Sequence, residues 1–275
     1  IEADEYDHMF LGLKPYLAVV TNVEHDHPDC YPTGEDFYQA FACFSRCIQP
    51  GGGLVACGDD PGAARLLAEA RAAGLRTLAY GIAAQNLAYQ AENLLPNLEG
   101  GFTCDVRCTL PDGFELRQAL HLQVPGRHNL LNALAALAIA HQLQLSPARA
   151  ALALSAFQGT GRRFEVRGEA DGIVVIDDYA HHPTKIRATL AAARARYPGR
   201  RIWAVWQPHT YSRTRLLLAE FAAAFAEADE IVVTDIYPAR EAAPADNFSA
   251  RQVVNAMRHL QVHFIPELVQ ATSFL

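Results

Sequence analysis

Residues 173–176 form a run of four β-branched apolar residues, Ile-Val-Val-Ile, which is the pattern of a buried strand in a parallel sheet. Two aspartates, a tyrosine and two histidines follow within positions 177–182, and Pro183 then opens a segment with the apolar spacing of a helix. Ligands of open α/β sheets bind beyond the carboxyl ends of the strands. We therefore predict a functional site at the end of this strand, in preference to a helix start with solvated histidines.

The same order of strand, polar cluster and helix recurs along the chain. Residues 16–20 predict a strand that ends on the polar segment 21–29, and residues 201–206 predict another that ends on 207–215. Repeated strand–helix alternation indicates a parallel sheet with helices on its faces. Further predicted strands cover 54–57, 77–80, 231–234 and 262–265. Predicted helices begin at Thr33, at Asp59–Pro61, within residues 125–132, at Pro147, at Pro183, after the polar segment 207–215 and near Ala250.

Residues 88–124 differ, because apolar and polar side chains alternate there. This period of two predicts antiparallel strands, and the Pro-Asp-Gly sequence at 111–113 predicts a hairpin turn.

Gly159–Arg163 supplies two glycines and two arginines between the two strand–helix series, so we predict a domain joint there. The predicted fold is an α/β chain of two doubly wound, mainly parallel-sheet domains, residues 1–158 and 159–275, the first with a small appended antiparallel sheet.

Composition limits the classes of function. The 275 residues are 51% hydrophobic, enough for large cores, and a formal net charge of −7 argues against a nucleic-acid-binding surface. The six cysteines form no C-x-x-C pair, so we expect reduced thiols and a cytoplasmic location. The longest apolar run, 130–143, is too short and too polar to cross a membrane. Because the chain begins at Ile1 and ends at Leu275 within a helical pattern, we expect a fragment of a longer protein.

The segment 125–132 has two interpretations. His128 and Asn132 are four residues apart, so they share one face of the first helical turns, where backbone N–H groups lack partners within the helix. The alternative is that His128 or Asn129 only caps the helix.

Six motifs stand in an order that resembles the Mur ligase family. They are Glu-Ala-Asp-Glu at 2–5, Thr-Asn-Val-Glu-His-Asp-His at 21–27, Gly-Arg-His-Asn at 126–129, Gly-Thr-Gly-Arg-Arg-Phe at 159–164, Asp-Asp-Tyr-Ala-His-His-Pro at 177–183 and Gln-Pro-His-Thr-Tyr-Ser-Arg-Thr at 207–214. Each motif is weak alone, and their number and order make the resemblance specific. The final stretch of the chain carries no sharp motif.

The resemblance implies ATP-dependent amide synthesis for peptidoglycan, in which ATP activates the carboxylate of UDP-N-acetylmuramate and L-alanine attacks the acyl phosphate. It implies that Glu2 and His27 hold Mg²⁺, although imidazole is an unusual ligand for so hard a cation. The implied nucleotide contacts are His128 and Asn132 to adenine, Asp178 to the ribose, and Arg162 or Arg163 to the phosphates. The implied residues around the muramyl carboxylate and alanine are Tyr179, His181, His209 and Arg213. Of all these residues, His27, His181 and Arg213 would contribute to catalysis.

Departures from the family pattern limit these implications. The chain contains no G-x-x-x-x-G-K-[ST] phosphate loop, and we expect that the amino-terminal UDP-binding domain and the last strands of the third domain are missing. Thr210 stands where some relatives have arginine. Neither Lys14 nor Lys185 lies in a motif suited to a carbamylated lysine, which disfavours the sibling ligases that use one. We therefore expect that this polypeptide alone does not turn over.

Other functions stay open at this point. A ligase that joins a recycled murein tripeptide to UDP-N-acetylmuramate shares much of the pattern, although residues 207–214 favour alanine as the substrate. Residues 24–27 with 181–182 could instead form a two-metal hydrolase centre with tightly bound zinc or manganese. A nucleotide-binding module without catalysis is the third alternative. Neither a nucleic-acid partner nor a membrane partner is expected.

Overall fold

The computed structural model of the chain describes residues 4–109 and 115–275. The chain divides into two compact units, Ile1–Gln158 (unit 1) and Gly159–Leu275 (unit 2), and each has its own hydrophobic core. In the described part no helix has the length and apolar character needed to cross a membrane. None of the six cysteines, all of which are described, forms a disulfide. The predicted ligand Glu2 and the predicted turn at 111–113 lie outside the described residues.

Within its described residues, unit 1 is built on one sheet with the strand order β1-β2-β3-β4-β5-β6. The strands are β1 (Leu17–Val20), β2 (Gly53–Cys57), β3 (Arg76–Gly81), β4 (Tyr89–Pro96), β5 (Phe102–Thr109) and β6 (Glu115–His121). Pairing is parallel from β1 to β4 and antiparallel from β4 to β6. The predicted antiparallel strands are present, and they extend the parallel sheet through the β3–β4 pair.

The helices of unit 1, with the exception of the third, begin where local capping signals predict. They are α1 (Gly34–Arg46), α2 (Pro61–Ala72), α3 (Arg127–Gln142) and α4 (Pro147–Ser155), preceded by a 3-10 helix at Tyr6–Gly12. Thr33 and Asp36 form a capping box at α1, since each side chain accepts the other residue's backbone N–H. Asp60 and Ser146 cap α2 and α4, and proline follows each of them.

The start of α3 bears on the capping alternative for residues 125–132. The residue before the helix is Gly126, which has a positive φ of 95° and can make no side-chain cap, so neither His128 nor Asn129 caps α3. The Asn129 amide nitrogen instead donates to the carbonyl oxygen of Pro125 at 2.8 Å. Capping therefore does not account for His128.

The core of unit 1 surrounds β2, in which all five residues are buried. Successive side chains of a strand point to opposite faces, so both faces of the sheet are covered at β2, as the doubly wound prediction requires. Helices α2 and α3 pack against β2 and β3 through fully buried residues such as Leu66 and Leu134. This packing fixes the carboxyl ends of β1 and β2, from which the polar segments leave.

Unit 2 contains a parallel sheet of order β11-β10-β9 and a two-stranded antiparallel sheet, β7-β8. The strands are β7 (Glu165–Ala170), β8 (Ile173–Asp177), β9 (Trp203–Trp206), β10 (Glu230–Val233) and β11 (Val262–Phe264). The helices are α5 (Pro183–Arg196), α6 (Tyr211–Leu216), α7 (Leu218–Ala222), α8 (Ala250–Ala256) and α9 (Leu268–Phe274). A single helix was predicted after residues 207–215 and up to about Ala226, whereas the structure has two short helices, and the first already begins within the polar segment, at Tyr211. The second helix packs Phe221 on Trp206, with ring centres 4.8 Å apart.

Strand β8 differs from its prediction. It pairs antiparallel with β7, and Ile173 and Val175 are 66% and 56% exposed instead of buried. The connecting residues Asp171 and Gly172 have φ of 49° and 76°, the positive values that a type I′ hairpin turn requires. The β-branched run indicates a strand but not its partner, whereas the Asp-Gly pair is the signal that indicates the hairpin.

Candidate functional site

The polar segment after β1 is anchored to the amino end of α2. Asp60 Oδ1 accepts hydrogen bonds from Val23 N at 3.0 Å and from Ala63 N at 2.7 Å, so the cap of α2 also holds this segment. A Cβ atom at Gly62 would lie 2.3 Å from the carbonyl oxygen of Val23. Glycine is therefore needed for this close approach, and the segment leaves the sheet along a fixed path.

His27 lies in this segment between two carboxylates. Its φ is 55°, a left-handed value, so it avoids right-handed helical geometry as predicted for the residue before Pro28. Its Nδ1 atom is 2.8 Å from Glu5 Oε1, and its Nε2 atom is 3.9 Å from Asp26 Oδ2. Because a carboxylate accepts hydrogen bonds, Glu5 favours the tautomer with the proton on Nδ1. In neutral His27, Nε2 then carries the lone pair that could bind a cation.

The side chains around His27 fit a magnesium ion that binds together with nucleotide. Among the described residues, no three histidine, cysteine, aspartate or glutamate side chains are arranged to hold a metal ion. Mg²⁺ commonly takes one or two protein carboxylates and completes its shell with phosphates and water, so it needs no such cluster. A zinc centre needs at least three protein ligands.

Two candidate ligands of the two-metal hydrolase alternative, His25 and His182, contact the backbone. His25 Nε2 lies 2.8 Å from the carbonyl oxygen of Tyr31. His182 is 4% exposed and caps α5 by accepting from Thr184 N at 3.4 Å. Because Nδ1 of His182 accepts, the neutral His182 ring carries its proton on Nε2 and offers no lone pair to a metal ion, which weakens this alternative. The contact of His25 involves only Nε2 and does not count against it.

His128 and Asn132 lie one turn apart near the start of α3, so they share one face of the helix as their spacing predicts. Asn132 is exposed, and its amide nitrogen is 3.4 Å from the side-chain oxygen of Asn129. The contact of this face with adenine stays a prediction.

Unit 2 brings six predicted site residues together from three segments. The guanidinium carbons of Arg162 and Arg163 lie 4.7 and 5.6 Å from the centre of the Tyr179 ring. The Tyr179 ring is 5.1 Å from the His181 ring, and the His181 ring is 6.2 Å from the His209 ring. Arg213 Nη1 lies 3.2 Å from His209 Nδ1. We name these residues the arginine–histidine cluster: Arg162, Arg163, Tyr179, His181, His209 and Arg213.

The two histidines of this cluster carry their ring protons on opposite nitrogens when neutral. His181 Nδ1 is 2.8 Å from the carbonyl oxygen of Tyr179, and a carbonyl oxygen can only accept. Arginine can only donate, so His209 Nδ1 accepts from Arg213, whose side chain is buried at 4% exposure. On the remaining nitrogen, Nε2, neutral His181 has a lone pair and neutral His209 has a proton. One ring can therefore accept a proton while the other donates a hydrogen bond to an anion.

Asp178 fixes the segment that carries the first two arginines. Its Oδ2 accepts from Phe164 N and its Oδ1 accepts from Ala180 N, both at 2.8 Å. Arg162 and Phe164 have φ of 57° and 50°, which larger side chains adopt only when neighbouring contacts hold them. Part of the predicted joint is thus anchored within unit 2. A ribose contact from Asp178 stays a prediction and would use its remaining lone pairs.

Two residues outside the predicted set also contact this region. The Tyr237 ring is 5.5 Å from the His209 ring, and the Glu241 carboxylate accepts from the N–H groups of Tyr211 and Ser212. Both residues follow β10. The rule that polar residues beyond parallel strands form sites applies to this strand as well, and it is the signal that could have identified them.

Three arginines and two histidines lie close together in unit 2, and a histidine in the segment after β1 of unit 1 lies beside carboxylates. Guanidinium groups are well suited to binding carboxylates and phosphates. The Mur ligase middle domain model matches residues 2–140, and the model of the Mur ligase, glutamate ligase domain matches residues 162–275. The chain belongs to the Mur ligase family.

The relatives of this chain include several UDP-N-acetylmuramate–L-alanine ligases. The UDP-N-acetylmuramate–L-alanine ligase of Arthrobacter sp. (strain FB24) is 48% identical over 241 residues, which cover 87% of this chain and 49% of the relative. That of Roseiflexus sp. (strain RS-1) is 42% identical over 284 residues, 99% of this chain and 60% of the relative. The crystal structure of the UDP-N-acetylmuramate-alanine ligase of Thermotoga maritima matches with a TM-score of 0.73 at 26% identity, over 100% of this chain and 56% of that one. The chain thus spans about half the length of these relatives.

Proposed function

We propose that this chain provides the ATP-handling and amino-acid-handling domains of a ligase that joins L-alanine to the carboxylate of UDP-N-acetylmuramate in peptidoglycan synthesis. The observation that carries the proposal is the arginine–histidine cluster, in a chain of the Mur ligase family. Relatives at 42% and 48% identity that bear this activity in their names support the choice of substrates.

In the first step, a carboxylate oxygen of UDP-N-acetylmuramate attacks the γ-phosphorus of ATP, the bond to ADP breaks, and an acyl phosphate forms. Phosphoryl transfer depends on positioning and on fixed positive charge more than on a protein nucleophile. Arg162 and Arg163 are suited to this role, because a guanidinium stays charged and matches the geometry of phosphate and carboxylate oxygens.

In the second step, the neutral amine of L-alanine attacks the acyl carbon, and the tetrahedral intermediate then loses one nitrogen proton and expels phosphate to give the amide. The amine must first lose the extra proton of its ammonium form. His181 Nε2 can accept that proton, since Nδ1 donates to Tyr179 O. His209 Nδ1 accepts a hydrogen bond from Arg213, so neutral His209 carries its proton on Nε2. His209 Nε2–H and the Arg213 guanidinium can then donate hydrogen bonds to a carboxylate.

Magnesium would be held by His27 and Glu2, and when bound it would neutralise charge on the ATP phosphates. The contact between His27 Nδ1 and Glu5 supports this assignment, because it turns Nε2 into the ligand atom. The adenosine contacts of His128, Asn132 and Asp178 are part of the same proposal, and so is a cytoplasmic location.

The test uses the full-length protein that carries this chain, with ATP, Mg²⁺, UDP-N-acetylmuramate and one amino acid or peptide at a time. We expect phosphate release that requires both UDP-N-acetylmuramate and L-alanine, with one amide formed per phosphate. Preference for a murein tripeptide over L-alanine would assign the chain to the tripeptide-joining ligase instead. Phosphate release without an amino acid would indicate a hydrolase, and ATP binding without any release would indicate a non-catalytic module.

A further inference from the structure

The segment that follows β10 lies against the segment that carries His209. Tyr237 N donates to the carbonyl oxygen of Pro208 at 2.8 Å, and Thr210 N donates to the carbonyl oxygen of Tyr237 at 2.9 Å. These bonds form an isolated parallel bridge between His209 and Tyr237. The backbone on both sides of His209 is therefore held by the segment after β10.

Glu241, farther along this segment, holds the first turn of α6. Its Oε2 atom accepts from the N–H groups of Tyr211 and Ser212, at 3.0 Å for the latter, and its Oε1 atom is bonded to the Ser212 hydroxyl. The residue that precedes the helix, Thr210, makes no side-chain cap. A carboxylate at this position satisfies N–H groups that lack helical partners and complements the helix dipole. Glu241 thus provides the cap that the local sequence does not.

Thr210 depends on these contacts. Its φ of 66° and ψ of 143° are rarely adopted by a β-branched residue, and such a backbone persists only when its surroundings hold it. Its carbonyl oxygen also accepts the Thr214 hydroxyl at 2.6 Å. Arg213 lies in the turn that Glu241 caps, and from there it reaches back to His209 Nδ1. Release of this turn would therefore move both members of the Arg213–His209 pair.

We infer that Glu241 is a positioning residue for the carboxylate site formed by Arg213 and His209. It acts through the backbone N–H groups of Tyr211 and Ser212 and does not itself touch the substrate. The inference rests on the proposed function for the identity of the ligand, which is the carboxylate of L-alanine. It goes beyond that function because part of the affinity for alanine is assigned to Glu241. This residue follows β10, whereas His209 and Arg213 follow β9.

Asp246 provides a matched control, because it lies in the same connection as Glu241 and binds Arg215, which is on the same helix. Its two carboxylate oxygens bind the Arg215 guanidinium at 2.7 and 2.8 Å, and both side chains are largely exposed. Asp246→Asn removes a carboxylate from the same connection and a tie to the same helix, but it leaves the first turn of α6 in place. If Glu241 only added stability, the two substitutions would have similar consequences.

The experiment compares wild type, Glu241→Ala, Glu241→Gln and Asp246→Asn in the full-length protein. Steady-state rates give the KM for L-alanine and for ATP, and hydrogen exchange gives the protection of the Tyr211 and Ser212 amides. For Glu241→Ala we expect a rise in the alanine KM of about 10-fold to 100-fold, because small displacements of positioning groups have effects of that size. The ATP KM should stay within about 2-fold, and the two amides should exchange at least about 10-fold faster.

Glu241→Gln keeps one amide oxygen as an acceptor, so its alanine KM should lie between those of wild type and Glu241→Ala. Asp246→Asn should leave the alanine KM and the two amides unchanged. The inference is overturned if Glu241→Ala lowers only the melting temperature, or if the amides keep their protection. Should Glu241→Ala fail to fold, Glu241→Gln decides by the same readouts. Failure of the proposed function can be distinguished from failure of this inference. If the proposed function is wrong, wild type forms no amide with L-alanine, and the exchange of the Tyr211 and Ser212 amides still tests the role of Glu241.

Discussion

His181 and His209 lie with their ring centres 6.2 Å apart and are held in opposite tautomers, His181 by the carbonyl oxygen of Tyr179 and His209 by the guanidinium of Arg213. The two imidazoles thereby present different groups at Nε2 when neutral. A lone pair on Nε2 makes neutral His181 a proton acceptor, and a proton on Nε2 makes neutral His209 a hydrogen-bond donor. The difference between the two rings at Nε2 comes from the hydrogen-bond partner of Nδ1 in each ring and not from the position of the ring.

The first prediction concerns His181 as the base. His181→Gln should lower kcat by about 10²-fold to 10⁴-fold, the usual contribution of a positioned acid or base, with little change in the KM for L-alanine. The residual rate should increase with pH, because the fraction of L-alanine with a neutral amine increases. A matched control is His121→Gln, which replaces a histidine that contacts Thr103 in unit 1. A kcat near the wild-type value for His181→Gln would exclude the assignment.

The second prediction concerns His27 and Glu5. His27→Ala should lower kcat by about 100-fold or more without loss of folding, as expected for one transition-state contact. Glu5→Gln should keep kcat at saturating Mg²⁺ but weaken the metal about 10-fold to 100-fold, because its carboxylate only orients the imidazole. Mn²⁺ binding, followed by electron paramagnetic resonance in the presence of ATP, measures this without turnover. If both variants keep the wild-type metal affinity and only melt at a lower temperature, the His27–Glu5 contact is structural.

Local signals predicted much of this fold. The caps at Thr33, Asp60 and Ser146 act within three residues of the helix start, so the sequence contains the whole interaction. The parallel strands at 54–57 and 231–234 are buried runs between recognisable turns and helices, and both are present in the structure. Patterns of this kind depend on neighbours in the chain, and they are therefore visible in a single sequence.

Long-range partners were not visible. The Glu5–His27 and Glu241–Tyr211 contacts join residues that are distant in the chain, and nothing near either glutamate indicates its partner. Asp59 is a further example, because its carboxylate accepts from the backbone N–H groups of residues 82–84 although it was predicted only as part of a helix start. Such contacts are created by the packing of strands side by side, so a sequence motif can identify the segment but not the pair.

The third prediction concerns nucleotide. Asn132→Ala should raise the KM for ATP more than the KM for L-alanine, because the exposed Asn132 amide shares a helix face with His128. The effect should be a few-fold to about 10-fold, since one neutral hydrogen bond contributes about 1 kcal/mol. Gln118→Ala serves as the control, because the Gln118 side-chain amide on β6 donates to the carbonyl oxygen of the next residue, Ala119. An unchanged ATP constant in Asn132→Ala would count against an adenine contact.

The fourth prediction concerns the pH dependence of stability in unit 1. Arg65 binds the Glu35 carboxylate through two nitrogens at 2.8 and 3.1 Å, and these hydrogen bonds lower the pKa of Glu35 from 4.5 to about 2. Because the folded-state pKa is the lower one, the stabilisation is present above pH 4.5 and is lost as the pH falls toward 2. The difference in unfolding free energy between wild type and Glu35→Gln should therefore shrink over this range.

Urea unfolding at several pH values measures that difference, and added salt should reduce it at pH 7, because the pair is exposed. Glu99→Gln is the control, since the His121 ring nitrogen is 3.9 Å from Glu99 and no close guanidinium pair is involved. A difference that stays constant down to pH 2 would show that Glu35 stabilises the chain by packing and not by charge.

The last prediction separates two roles of Asp178. Its carboxylate accepts from Phe164 N and Ala180 N, so Asp178→Ala leaves both amides without this partner and releases a backbone with positive φ at Phe164. We expect unit 2 to lose about 1–3 kcal/mol of unfolding free energy, the usual cost of a hydrogen bond to a charged group that is removed. In this chain both tryptophans, Trp203 and Trp206, belong to unit 2, so their fluorescence follows its unfolding in urea.

Asp177→Ala is the matched control for Asp178→Ala, because Asp177 is 40% exposed and lies 3.7 Å from Arg162 Nε in an ion pair of little expected strength. Its unfolding free energy should stay within about 0.5 kcal/mol of wild type. The ATP constant of the full-length protein then decides the second role. If Asp178→Ala is destabilised but has an unchanged ATP KM, the role of Asp178 is only to anchor residues 162–164. An increase in the ATP KM beyond that of Asp177→Ala, measured well below the melting temperature, would support a ribose contact as well.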